Sequence, residues 1–205
     1  MRVYAESNFV LELALVQEQQ PACDELVKLA EKKELELVLP AFCLFEPFTT
    51  LRRRQMDRRE LSERVQNELR QIARTQSLTV TASASPLAAL LVTSAQEAAT
   101  RFDSVMGDLL RVARVLPMTA GMLENARGAQ VTYKLELPDA IVLASVLDDL
   151  TGSPAGSCFL NRNTKDFDDP LIVNALTTQD CKMIGSFSNG LEYVKAQLRA
   201  KATPS

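Results

Sequence analysis

MRVYAESNFVLEL, residues 1–13, decides how the rest of the chain is read. Arg2-Val3-Tyr4-Ala5 has the make-up of a short strand. It runs into Glu6-Ser7-Asn8, and Phe9, Val10, Leu13 and Ala14 then recur at helical spacing. Ser7 is the expected N-cap of that helix. A strand that hands over directly to a helix is the first half of a parallel crossover unit. A carboxylate at the handover stands where open parallel sheets bind their ligands.

The remainder repeats this grammar. Pro21 suits the first turn of a second helix, with Leu26, Leu29 and Ala30 inward. Leu35–Leu39 follows as a second strand, closed by Pro40. A helical pattern from Ala41 to about Ser77 carries a stripe of Leu61, Val65, Leu69 and Ile72 at steps of four, four and three. Pro47 is expected to start that helix or to bend it. A second long pattern runs from Ser85-Pro86 to about Arg114, with Leu91, Ala95, Ala98, Phe102, Val105, Leu109 and Val112 on one face. Joined by a short Ser/Thr/Ala stretch, the two read as a helical hairpin. Val115–Met118 reads as a short strand, and helices are expected from about Ala120 and from Leu137-Pro138-Asp139. Gly152–Gly156 is a turn, Cys158–Leu160 a strand, Lys182–Ile184 a last strand and Asn189–Ala200 a closing helix. The expectation is one domain, 1–205, of three-layer α/β/α class with a short parallel sheet of about five strands and a helical hairpin inserted at about 48–114. The last few residues are expected to form a loose tail.

Composition removes whole classes of chemistry. The 205-residue chain has no histidine. Ser-His-Asp and Cys-His nucleophiles, histidine proton shuttles and histidine-bound zinc are therefore excluded within one chain. The cysteines Cys23, Cys43, Cys158 and Cys181 lack paired metal-ligand spacing and read as buried small hydrophobes. No apolar run reaches the roughly 18 residues of a membrane span, and no leader pattern opens the chain, so a cytoplasmic protein is expected. There is no Gly-rich phosphate loop. The net charge of −3 argues against a generally basic coat, yet leaves room for a local basic face.

What remains is carboxylate chemistry. Glu6 follows the first strand, and Glu46 lies near the start of the helix after the second. Asp139 opens a helix, and Asp166 lies just past the strand at Cys158–Leu160. In a parallel sheet all four gather at one edge. Any one of them alone could serve only a helix dipole or a cap. Together they repel, and the counter-charge that suits oxygen ligands is a hard divalent cation, Mg²⁺ or Mn²⁺. Phosphodiester hydrolysis is the reaction class that such a site serves.

The residues also resemble a family. Val3-Tyr4-Ala5-Glu6-Ser7-Asn8-Phe9-Val10, then Leu39-Pro40 with Glu46, Leu137-Pro138-Asp139-Ala140 and Phe159–Phe167 are similar, in order, to the motifs of PIN-domain ribonucleases, especially the VapC-like toxins. The resemblance implies a Mg²⁺- or Mn²⁺-dependent endoribonuclease with Glu6, Glu46, Asp139 and Asp166 as metal-binding acids. Ser7 and Asn8 would shape the first turn, and Asn163 would support the fourth acid. It also implies RNA as substrate, an antitoxin protein as partner, and a homodimer. Glu6 stands where the family usually has Asp, Asn161 where it has Thr, and Asn163 where many relatives carry another Asp. A module that binds RNA or a protein without cutting is the alternative reading.

Arg52, Arg53, Arg54, Arg58, Arg59, Arg64, Arg70 and Arg74 fall on one helical pattern. Arginine suits bidentate phosphate contacts, so Arg52 and Arg53, with Arg162 beside the fourth acid, are expected to hold RNA. A solvated helix laced with pairs such as Glu60–Arg64 would explain the same run. No aromatic residue interleaves with the arginines, so base stacking is not expected.

Overall fold

The computed structural model describes residues 1–74, 84–152 and 156–202. The stretch expected to join the two long helices, most of the turn at Gly152–Gly156 and the expected tail lie outside the described residues.

Five parallel strands, β1 (Arg2–Ala5), β2 (Glu36–Pro40), β3 (Arg114–Leu116), β4 (Ser157–Leu160) and β5 (Cys181–Ile184), form one sheet in the order β3-β2-β1-β4-β5. Their side chains alternate between two apolar layers, as the period of two requires. Val3, Ala5, Leu37, Leu39, Cys158 and Leu160 pack beneath α1 (Ser7–Leu15), α2 (Gln20–Glu31) and α9 (Phe187–Ala202). Tyr4, Val38 and Phe159 pack on the other face, against α5 (Ala120–Tyr133), α6 (Leu137–Leu150) and α8 (Pro170–Thr178). This is the expected three-layer α/β/α arrangement. All four cysteines are buried and free.

Two long helices, α3 (Ala41–Ala73) and α4 (Ala84–Val112), pack on each other, and α1 lies against both. Helix α3 begins directly at the end of β2 and runs through Pro47, instead of starting there. The α4 stripe faces inward, with Ala95, Ala98, Phe102 and Leu109 buried. The α3 stripe does not: Leu61 and Ile72 are exposed, and Ser62 is the buried residue of that stretch. Ser62 donates its hydroxyl to the Ala88 carbonyl, which fixes the face that α3 turns to α4. Leu61, Val65 and Leu69 line a groove of about 470 Å³ instead. Helix α8 was not anticipated. Asp169 caps it through the Leu171 amide, and Pro170 opens it.

No helix among the described residues is long and apolar enough to cross a membrane.

Candidate active site at the carboxyl edge of the sheet

Because every strand points the same way, the segments that follow β1, β2 and β4 leave from one edge. The chain winds outward from β1 through β2 to β3, then returns to place β4 on the other side of β1. The gap between the ends of β1 and β4 is thus the topological switch point, where a crevice opens between diverging connections.

Glu6 bridges that gap. It is the N-cap of α1, the place expected for Ser7, which instead occupies the first helical position. Its Oε2 accepts from the Asn8 amide at 2.7 Å and its Oε1 from the Arg162 amide at 3.1 Å. The longer side chain lets one carboxylate cap its own helix and reach the loop after β4. Only 6% of Glu6 is exposed, and burial pushes its carboxyl up to about 7, with the charge of Glu46 adding to the rise.

Glu46 is half-buried on the second turn of α3 and accepts a hydrogen bond from the Ser7 hydroxyl. Asp139 sits in the first turn of α6, where Pro138 fits and unpaired amides favour an anion. Its carboxyl is raised, first by burial and then by the charges of Asp166, Glu46 and Glu136. The Asn163 side-chain amide donates to Asp139 Oδ1 at 3.2 Å. Asp166 is exposed on the short helix α7 (Thr164–Phe167), close enough for its charge to be felt at Asp139. Glu6, Glu46, Asp139 and Asp166 therefore form a chain of like charges along one edge, with Ser7, Asn8 and Asn163 as its hydrogen-bonding supports.

Arg52 and Arg53 lie exposed on α3, two turns past Glu46. Arg162, expected to hold RNA, makes an ion pair within the chain. Its guanidinium binds Glu12, a carboxylate with no exposed surface, and stands 4.0 Å from Glu18. The second oxygen of Glu12 accepts from the Gln19 amide at 2.8 Å. Glu12 was missed in the sequence, although its position three residues after Phe9 and one before Leu13 puts it on the buried face of α1. An acid there requires a cation. Asn161, at the end of β4, is buried. Its Oδ1 accepts from the Asn163 amide at 2.7 Å, and its Nδ2 has no hydrogen-bond partner among the described residues.

The donor set suits a hard divalent cation: carboxylates, with no histidine. Among the described residues, no group of three or more acids or cysteines is gathered tightly enough to hold an ion unaided. Mg²⁺ does not require such a cage, since it ordinarily takes one or two carboxylates and keeps several waters. Glu46 and Asp139, each half-buried and electrostatically coupled, are the pair that could hold it.

No curated protein matches the chain. The model of one family, described as the PIN domain, matches residues 3–167 and so takes in Glu6, Glu46, Asp139 and Asp166. PIN domains are generally nucleases, and this chain, with its parallel sheet and its acids at the carboxyl edge, belongs to the PIN-domain family.

Proposed function

We propose that the protein is a Mg²⁺- or Mn²⁺-dependent endoribonuclease of the cytoplasm. The observation that carries this reading is the run of coupled acids at the switch point, drawn from segments that follow four different strands. Glu46 and Asp139 would hold the ion, with Asp166 and Glu6 completing the negative rim. When bound, such an ion polarises the phosphoryl group and lowers the pKa of attacking water. The chain's own part is to keep the oxygens in place. Ser7 fixes the rotamer of Glu46, and Asn163 fixes that of Asp139. Glu6 ties the β1 and β4 loops together through two main-chain amides.

The test is cleavage of single-stranded RNA in Mn²⁺ or Mg²⁺, with EDTA as control. Asp139→Asn, which keeps an oxygen able to accept from Asn163, should lower the rate by at least about 100-fold, the cost of losing a group that acts on the transition state. Parent-like cleavage by Asp139→Asn would sink the assignment.

A second reading has its own support: both oxygens of Glu6 are already engaged by amides, and Glu replaces the usual Asp. On that reading the protein binds RNA or a protein partner and does not cut. RNA binding without cleavage in any divalent ion would favour it. The role of toxin in a toxin–antitoxin pair, with a homodimer as the active form, belongs to the leading proposal. Growth arrest on expression, dependent on Asp139, and a doubled mass by light scattering would support it.

A further inference from the structure

Helix α3 leaves the acid cluster carrying an exposed face unlike the rest of its surface. Phe45 immediately precedes Glu46 and is 62% exposed. Thr49, Arg52, Met56 and Arg59 follow at steps of four, three, four and three, so all five residues share one face. All are exposed, Met56 to 63%. At 1.5 Å per residue this stripe extends about 21 Å from the site. Arg53, seven residues beyond Glu46, runs beside it.

A single exposed phenylalanine is ordinary. Phe45 differs from its neighbours on the helix. Phe48 is held against Phe102, with ring centroids 6.3 Å apart, and Phe42 packs on the buried layer beneath α6. Phe45 has neither kind of partner among the described residues. Between positions 52 and 59 there are five arginines and a single acid, Asp57. Arg52, Arg53, Arg54 and Arg59 make no ion pair with any described residue, and the Glu60–Arg64 pair that a solvated helix would use is not formed. An uncompensated row of guanidiniums, headed by an open aromatic ring beside coupled carboxylates, complements a polyanion with stackable groups.

We infer that this face of α3 is a track for single-stranded RNA, with Phe45 stacking on an unpaired base next to the scissile phosphate and Arg52 and Arg59 contacting the backbone beyond it. This rests on the ribonuclease reading and adds to it the residues that would hold the strand beside the acids. A duplex hides its base faces, whereas a single strand can offer one to Phe45 while its phosphates follow the arginines.

The experiment is fluorescence-anisotropy titration of a short fluorescein-labelled single-stranded RNA in EDTA, where no cleavage occurs, beside the same sequence as a duplex. Phe45→Ala should weaken single-strand binding about 10-fold, the loss expected for one base–aromatic stack. Phe45→Tyr should restore it and Phe45→Leu should not, which separates stacking from apolar packing. Arg52→Ala and Arg59→Ala should each reduce the salt slope of log K by about 0.7. An RNA with one abasic site should lose affinity in the parent and lose no more in Phe45→Ala. Equal binding by Phe45→Ala and parent, or rescue by Phe45→Leu, overturns the inference while leaving the nuclease reading intact. A change of mass in light scattering on Phe45→Ala, with RNA affinity unmoved, also overturns it and makes this face a protein interface. If the parent neither binds nor cuts RNA, the ribonuclease reading itself fails.

Discussion

Asn161 and Asp139 carry costs that the fold accepts at the edge of the sheet. The Asn161 carbonyl oxygen holds the Asn163 amide, while its Nδ2 is buried with nothing among the described residues to receive it. Leaving a donor so placed costs roughly 1–3 kcal/mol. Threonine keeps an oxygen for the Asn163 amide, suits a strand end and removes the orphan. Asn161→Thr should therefore raise stability by about 1 kcal/mol in urea unfolding. A loss of stability would mean that the amide finds a partner in solution. Asp139 pays for its ionised form, because burial and the neighbouring carboxylates raise its pKa. A neutral isostere escapes that cost, so Asp139→Asn, besides losing cleavage, should melt higher than the parent in EDTA. A lower melting temperature would show that Asn163 needs a charged partner.

The elements meet at this edge through an ion pair whose carboxylate is fully buried and whose guanidinium is partly exposed. Arg162 leaves β4 and crosses to Glu12 on α1, and the same Glu12 receives the amide of Gln19, just before α2. The Gln19 side chain in turn accepts from the Phe187 and Ser188 amides at the start of α9. Removing Arg162 would strand a fully buried carboxylate, so Arg162→Met should cost roughly 3–5 kcal/mol, and Glu12→Leu with Arg162→Met should recover most of it. If Arg162→Met leaves urea unfolding unchanged and weakens RNA binding, Arg162 is a phosphate contact after all. This pair also marks where sequence reasoning stopped. The strands were legible because short apolar runs end at Glu6, Pro40 and Asn161, and parallel topology then brought their following acids to one edge. Glu12 and Arg162 are 150 residues apart, and no local pattern links them. Periodicity likewise groups Leu61, Val65, Leu69 and Ile72 on one face of α3 without saying whether anything covers it. A cap was open to Glu6 in the sequence, though Ser7 is the commoner choice, and the second bond, from the Arg162 amide, had no local signal. Phe45 was passed over because it precedes the arginines and does not alternate with them.

Across the whole molecule the two edges of the sheet respond to pH with opposite sign. At the amino edge, Arg2 and Arg114 bind Glu36 and Asp149, and the Tyr4 hydroxyl donates to Asp149 at 2.7 Å. Asp149 is lowered, chiefly by Arg114. Glu36 is lowered too, because its bonds to Arg2 and Arg114 together outweigh burial. Groups with depressed folded values stabilise above their unfolded pKa, and that contribution is lost as pH falls through the folded value. At the carboxyl edge, Glu6 is raised from 4.5 to about 7, so the fold binds its proton more tightly than the unfolded chain does. Its contribution is most favourable below pH 4.5 and is lost as pH rises toward 7, a fall of roughly 3 kcal/mol. Asp139 acts in the same direction. In EDTA the protein should thus be most stable in mildly acidic solution, losing stability on one side through the amino edge and on the other through the acid cluster. Glu6→Gln should flatten the fall between pH 4.5 and 7 and leave the acid limb unchanged, since Glu36 and Asp149 are untouched. Urea unfolding across pH measures both limbs. Saturating Mg²⁺ should lift the neutral limb alone, because a cation binds the ionised carboxylates of the folded state. A neutral limb that falls as steeply in Glu6→Gln as in the parent would assign the titration to another group. A limb unmoved by Mg²⁺ would mean that these acids do not take the ion.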